Sequence, residues 1–328
     1  MNSPALLAAL LLAAPPAVQP KPGRIAYCGT GVGGYGVHVV TPDGKPVAAV
    51  TKFGEERFPE AARRSHDGTR VVVFAVGKAP GQDELTGDVQ VYDLARPDKP
   101  LAILAAGLPR HSCALAWGAD TATVYVNQER GLRDERGNWV PLGWAVTRYD
   151  VAIGKGAAVG LPADHAVADA SPDGKTLLVR SVARNAYSGD VSSAHLADAA
   201  TLKLRPLKAG VRPYRFSPDG LRVVGAREAE TVDGTSRRVV LDVKTGAEAP
   251  VRLGGRVFGA PPRAAWSPDG ARLLVARTVH ATGAEYERQK GVRYVPTVDE
   301  LFLCAPDGSG VTPAFGKERG RWLEFDWR

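Results

Sequence analysis

No apolar run in the 328 residues reaches the roughly 18 that a membrane-spanning helix requires, which excludes helical insertion into a bilayer. Cysteine is scarce. Cys28, Cys113 and Cys304 make an odd number without a C-x-x-C pair, so neither a zinc ribbon nor a thioredoxin-like redox motif is available. All three fall in apolar runs and are expected as separately buried thiols, with one disulfide as the alternative in an oxidising compartment. Lysine is sparse too, with 12 residues against 30 arginines. The basic residues are scattered, with no block of five or six of the kind that forms a nucleic-acid arm, so no nucleic-acid partner is expected. The net charge of +7 leaves a mild preference for anionic surfaces. Because the arginine excess accompanies abundant Ala, Gly and Pro and a single Met, as a GC-rich genome produces, it is not by itself a functional signal.

Catalytic signatures are missing as well. There is no G-x-S-x-G nucleophile elbow, and the stretch around Ser188 reads as loop. The six histidines show neither H-x-x-x-H nor H-E-x-x-H spacing. Gly29 to Gly34 matches G-x-G-x-x-G, but Tyr35 to Val40 continues as a strand where a dinucleotide site needs a helix, so the segment reads as a hairpin loop. What remains is 44% hydrophobic and 23% charged, an ordinary globular balance, punctuated by 37 Gly and 25 Pro. Such punctuation suits many short strands and turns. At the N-terminus, Pro4 to Ala14 is a short apolar stretch followed by Pro15, Pro16 and Ala17, and residues 1–20 are expected to form a secretory leader. The expectation is a soluble periplasmic or secreted protein without a lipid anchor, with one domain over residues 21–328.

The dominant signal is an internal repeat. Ser65-His66-Asp67-Gly68, Ser171-Pro172-Asp173-Gly174, Ser217-Pro218-Asp219-Gly220 and Ser267-Pro268-Asp269-Gly270 recur, with a degenerate copy at Gly118-Ala119-Asp120. The residues just ahead of them are spaced by 53, 53, 46 and 50, and a β-rich run follows each copy. A period near 50 is the length of a four-stranded propeller blade. In the turn, Ser bonds back to the chain, Pro presets φ and Gly accepts the left-handed conformation. The Asp residues therefore read as turn formers and not as catalytic carboxylates. Apolar runs such as Val71 to Val76 fit strands covered on both faces. Arg24 to Cys28 is a second strand with no turn before it, and Trp322 to Arg328 is an inner strand with no turn after it. Joined, they complete one blade. The fold class expected is an all-β, six-bladed propeller of four-stranded antiparallel blades, closed by strands 24–28 and 322–328, with no helix after the leader.

The repeated aromatic-SPDG turn with its apolar strand resembles the WD40-like PD40 repeat of TolB-type six-bladed propellers, over essentially all of residues 24–328. The resemblance implies that fold. Similar propellers serve as periplasmic interaction modules, as substrate-gating domains of serine peptidases and occasionally as metal-dependent lyases. TolB proteins proper also carry an N-terminal α/β domain, for which six blades leave no room here, and that departure counts against a Tol–Pal role.

In propeller topology, the segments entering the inner strands share one face with the loops between second and third strands. Arg57, Arg110 with His111, His165, Arg212, Arg263, and Arg319 with Arg321 fall in those segments. The longest loops on that face are expected at Glu129 to Leu142, carrying Trp139, and at Val279 to Glu300, carrying Tyr286 and Tyr294. Arginines with exposed aromatics are what recognition surfaces enrich. The function expected is a monomeric, non-catalytic binding or scaffolding module, without cofactor or metal, that recognises a protein or anionic ligand at the channel mouth. The alternative is a metal-dependent, lyase-like enzyme acting on acidic saccharides, with His111 and His165, beside Asp164, as ligands.

Overall fold

The computed structural model describes the chain except residues 1–22, 32–33, 54–56, 79–84, 111–112, 137–138, 186–188, 228–236, 253–263, 281–296, 315–323 and 328. At several strand ends, Cys113 and Trp139 among them, only the backbone is described. Every described element is a strand, and they form six four-stranded antiparallel sheets. Blade 1 joins the chain ends: β24 (Glu324–Trp327) pairs with β1 (Ile25–Gly31), then β2 (Gly34–Val40) and β3 (Pro46–Val50). Blade 2 is β4 (Arg57–Arg64), β5 (Arg70–Lys78), β6 (Leu85–Asp93) and β7 (Ala102–Pro109). Blade 3 is β8 (Cys113–Trp117), β9 (Thr123–Arg133), β10 (Trp139–Asp150) and β11 (Gly156–Val159). Blade 4 is β12 (His165–Ala170), β13 (Thr176–Asn185), β14 (Gly189–Asp198) and β15 (Leu204–Lys208). Blade 5 is β16 (Val211–Phe216), β17 (Arg222–Arg227), β18 (Arg237–Asp242) and β19 (Glu248–Pro250). Blade 6 is β20 (Ala264–Trp266), β21 (Leu273–His280), β22 (Thr297–Cys304) and β23 (Thr312–Pro313).

The ring closes as the repeat implies. Ile25 pairs with Trp327 and Cys28 with Glu324, so the last strand of the chain is the inner strand of the first blade. The inner strands β24, β4, β8, β12, β16 and β20 each touch the next around the axis. Alternate residues of the apolar run in β5 serve two different cores. Val72, Phe74 and Val76 pack toward blade 3, whereas Val71, Val73 and Ala75 pack toward blade 1. Period-two alternation in a strand covered on both faces produces this division. Cys28 and Cys304 are buried, as expected, and burial pushes the Cys304 thiol up to about 11.

The turns between inner and second strands form one repeated hydrogen-bond unit. At Ser217 the hydroxyl accepts from the Arg222 N–H (2.9 Å) and donates to Asp219 Oδ1 (2.5 Å), while that carboxylate accepts from the Leu221 N–H (3.0 Å). The same three bonds recur at Ser65 and Ser267. The closing glycines Gly68, Gly174, Gly220 and Gly270 all have φ between 68° and 72°. In the degenerate copy the glycine position is held by Thr121 at φ 53°, and the Thr123 hydroxyl takes over the bond to Asp120 (2.9 Å). In blade 1 Gly23 holds the corresponding place ahead of the second strand without the left-handed φ, and a Cβ there would lie 2.6 Å from Pro268 Cδ and 2.5 Å from Trp327 Nε1.

One loop differs from expectation. The stretch from Glu129 to Leu142 is mostly strand, because β9 and β10 stay paired from Arg133–Trp139 inward, past the ends of β8 and β11. Cross-strand pairing continues with no third strand beside it, which leaves a two-stranded ribbon carrying exposed Leu132 and Leu142. Arginines and Trp139 thus sit on a protruding arm.

Three outcomes test this account. Thr121→Gly should stabilise the protein by about 1 kcal/mol in urea unfolding, since a left-handed threonine carries a penalty that glycine lacks. Removing residues 322–328 strips β24 with Phe325 and Trp327, each worth about 3–5 kcal/mol when lost from a core, against a total stability of about 5–15 kcal/mol. The truncated chain should therefore lose its cooperative thermal transition, and a melt matching full length would refute ring closure. The Ser171 and Ser267 hydroxyls, aided by backbone N–H groups, hold Asp173 and Asp269 below the ordinary 3.8. At Asp67 and Asp219 burial pushes upward but the same kind of bonds outweigh it. A carboxyl lowered by folding contributes stability above its unfolded value and loses it as pH falls through the folded one. Urea midpoints should accordingly drop between pH 6 and pH 3.

Candidate functional site

The six inner strands line a central channel, and its middle layer has a pattern visible once the strands are aligned on the turn. Two residues ahead of the turn's first position, or next to last in β24, stand Asp326, Arg63, Ala116, Asp169, Arg215 and Ala265, from blades 1 to 6. Asp-Arg-Ala thus occurs twice around the ring. Each aspartate reaches into the next blade: Asp326 Oδ2 accepts from the Arg64 N–H and Asp169 Oδ2 from the Phe216 N–H, both at 3.0 Å. Both carboxylates are 2% exposed. Buried charges of this kind persist only when hydrogen-bonded or paired. Across the small Ala265 station, Arg215 Nε lies 3.7 Å from Asp326 Oδ1. Its Nη1 donates to the carbonyls of Ala168 (3.0 Å) and Tyr214 (2.7 Å). β-Bulges between Val167 and Asp169 and between Pro213 and Arg215 leave Ala168 and Tyr214 as the extra residues. An extra residue re-aims the side chains that follow.

This layer divides the channel. Above it, on the face where inner strands begin, is a cavity of 340 Å³ whose described lining residues include Arg63, Arg180, Arg212 and Arg215 and, among them, no acidic residue. Ala114, Ala166, Ala168 and Ala264 leave the room that the arginines enter. Below it, at the turn face, a 250 Å³ cavity is lined by Pro172, Pro218, Pro268, Trp266 and Trp327, with Asp326 and Arg215 at its inner end. Arg215 borders both cavities, and its pair with Asp326 lies between them. Trp144 of the ribbon links to the upper wall, with the Arg180 guanidinium 5.4 Å over its ring. Guanidinium groups converging on a concave site suit carboxylate or phosphate, although Arg63 and Arg215 also belong to the layer that Asp169 and Asp326 balance.

Of the residues singled out in the sequence, Arg212 lines this cavity. Arg57 is engaged outside it, in a 2.6 Å ion pair with Asp88 of β6. Arg110 pairs with Glu60 at 2.5 Å and lies over the Phe58 ring. His165 begins β12, is 8% exposed, and meets Asp164 Oδ1 through Nδ1 at 2.7 Å. Its ring packs edge-on against His195, whose Nε2 is 2.9 Å from Ser181 Oγ. Burial, and then the charge of His165, pushes the His195 imidazole below its ordinary value. Trp139 opens β10, with its side chain outside the description, and His111, Arg263, Tyr286, Tyr294, Arg319 and Arg321 lie outside the described residues. Among the described residues no group of three or more His, Cys, Asp or Glu side chains is placed to hold a metal ion.

Sequence reading missed Arg63, Arg180 and Arg215. Arg63 and Arg215 carry a signal in the residue two places ahead of each turn, which reads Asp-Arg-Ala around the ring. Arg180 carries none, because it comes from a second strand and reaches the channel opposite Ala166.

No protein-family model and no curated protein matches the sequence. Solved structures do match. TolB from Acinetobacter baumannii superposes with a TM-score of 0.61 at 15% identity, over 93% of this chain and 66% of that one. A TolB-type protein from Agrobacterium tumefaciens gives 0.53 at 16%, over 91% and 90%. Prolyl oligopeptidase B from Galerina marginata gives 0.50 at 11%, over 87% of this chain and 41% of that enzyme. The chain spans just under two thirds of the Acinetobacter protein. With six four-stranded blades and closure by its own two ends, the chain has the β-propeller fold of TolB-type proteins.

Proposed function

We propose that this chain is an exported, non-catalytic binding or scaffolding propeller that docks a protein or anionic ligand on the face where its inner strands begin. The observation that carries the reading is one concave site at the channel axis on which, among the described residues, four arginines converge. Small-molecule and peptide sites are concave with a few convergent polar groups, and this cavity meets that description. The ribbon beside it adds exposed apolar surface through Leu132 and Leu142, a combination typical of recognition surfaces. Residues 1–20 would act as the export leader, delivering residues 21–328 as a periplasmic or secreted monomer. The resemblance to TolB-type propellers supports an interaction role in that compartment. Neither nucleic acid nor membrane insertion is part of the reading.

Photo-crosslinking in the native host tests the docking face. A crosslinker at Leu142, on the mouth-side ribbon, should give discrete partner adducts, and one at Ile153, equally exposed at the turn face, should not. Replacing Arg180 and Arg212 together by alanine should weaken the captured complex at least about tenfold, as loss of charge-assisted bonds costs about 1.5–3 kcal/mol each. Equal adducts from both faces, or a complex indifferent to the arginines, would defeat the proposal.

A further inference from the structure

We infer that the mouth-side ribbon takes an extended segment of a partner protein as an added strand along the outer edge of β9, a segment with an acidic and an apolar side chain two residues apart. This rests on the docking reading above and narrows it to one edge, one backbone conformation and one side-chain pattern.

The edge is set by the direction of the backbone groups. The Thr123 carbonyl accepts from the Gly118 N–H on the β8 side, and the Ala122 carbonyl accepts from the Val151 N–H on the β10 side. β9 runs on to Arg133 without an extra residue of its own, so strand alternation turns the N–H and C=O of Gly131 toward the β8 side as well. β8 pairs with β9 only from Val124 to Gln128. Past that point, among the described residues, no strand lies beside Gly131 to Arg133 on that side.

The other edge of the ribbon is blunted. Residues opposite each other in an antiparallel pair either bond to one another or both turn away. Pro141 is opposite Gly131, so its nitrogen faces outward from β10 and has no hydrogen to donate. The bulge at Leu142 interrupts the edge next to it. Trp144, opposite Glu129, also turns outward, and its N–H donates to the Ala163 carbonyl ahead of β12. Proline and bulges are common protections of an exposed sheet edge. The β9 edge of the ribbon carries neither, and main-chain pairing with an extended segment uses such an edge.

Side chains set the pattern of the added strand. Arg130 and Leu132 lie on one face of the ribbon, both exposed, with Val140 opposite Leu132. Cross-strand neighbours stabilise a sheet when their charges are opposite or both are apolar. A carboxylate therefore fits beside Arg130 and an apolar side chain beside Leu132. The residue between them faces Gly131 and supplies the main-chain bonds.

The test uses the full chain and a fluorescent, end-blocked peptide, Thr-Glu-Thr-Val-Thr-Glu-Thr-Val-Thr, which offers this pattern in either strand direction. Anisotropy should show saturable binding, weakened about threefold or more by Gly131→Pro, which removes one edge donor, and little changed by Gly131→Ala. If Gly131→Pro melts below the parent chain, two N-methylated peptides on the unchanged protein decide. Methylating the interior Thr nitrogens should weaken binding at least about tenfold, whereas methylating the Glu and Val nitrogens should not. Lys in place of Glu should weaken the peptide, and Arg130→Gln should remove that difference. No saturable binding, equal effects from both methylation patterns, or indifference to the Glu-to-Lys change overturns strand addition. Dimerisation of the chain in sedimentation, lost on Gly131→Pro, also overturns it by assigning the edge to a second copy. Adducts at Leu142 that persist where the peptide fails leave the docking reading standing. Peptide binding by these rules without any adduct at Leu142 supports the edge and counts against the docking reading.

Discussion

Everything in this structure depends on closing the ring. Each second strand is apolar on both sides, as Val71 to Val76 shows, so a blade alone would present two hydrophobic faces to water. Only a neighbour on each side removes them, and the last blade finds its neighbour only if the ends of the chain meet. β24 supplies that meeting: Phe325 and Trp327 complete the core between blades 1 and 6, and Asp326 ties blade 1 to blade 2 through the Arg64 N–H. Similar staples recur elsewhere. The Trp117 indole donates to the Arg63 carbonyl, and buried Asn127 binds both the N–H and the carbonyl of Val167 in the following blade.

Closure has a chemical consequence at the axis. Six inner strands brought together converge on a line where side chains compete for space, and alanines at Ala116 and Ala265 leave room for arginines from adjacent blades. The outcome is a layer of alternating charge that is neutral in sum and bonded to backbone. Above it arginines line the described part of the wall, and below it prolines and tryptophans do, with Arg215 and Asp326 at the inner end. One channel thus has two mouths of opposite chemistry, with a charged partition between them. The double Asp-Arg-Ala order relates blades 1–3 to blades 4–6, so the partition has approximate twofold symmetry within a sixfold ring.

The histidine pair illustrates how a sequence position gains a different meaning in three dimensions. His165 stands near the mouth, as its place ahead of an inner strand implies. Its neighbours are Asp164, the His195 ring and, through that ring, Ser181, all within blade 4. These contacts give the imidazole a local structural role in joining the first three strands of one blade.

The sequence by itself determined the architecture. Turn spacing, the four-residue turn chemistry and two complementary half-blades at the chain ends are local or periodic features, and locality makes them readable in one dimension. Arg212 was legible for the same reason, since it sits just inside an inner strand. Tertiary structure alone decided which mouth cations are engaged by carboxylates. Arg57 of β4 meets Asp88 of β6, two strands over, and Arg110, just past β7, meets Glu60 of β4, contacts between non-adjacent strands that no local pattern fixes. It also decided that Glu129 to Leu142 is a ribbon, because pairing between two strands can continue past their neighbours, and that Arg180 enters the channel from a second strand. Bulges at Ala168 and Tyr214 shift the side-chain alternation by one, and a single-residue shift moves a guanidinium from one face of a strand to the other. The fold followed from repetition, whereas the site followed from side chains distant in sequence converging on one axis.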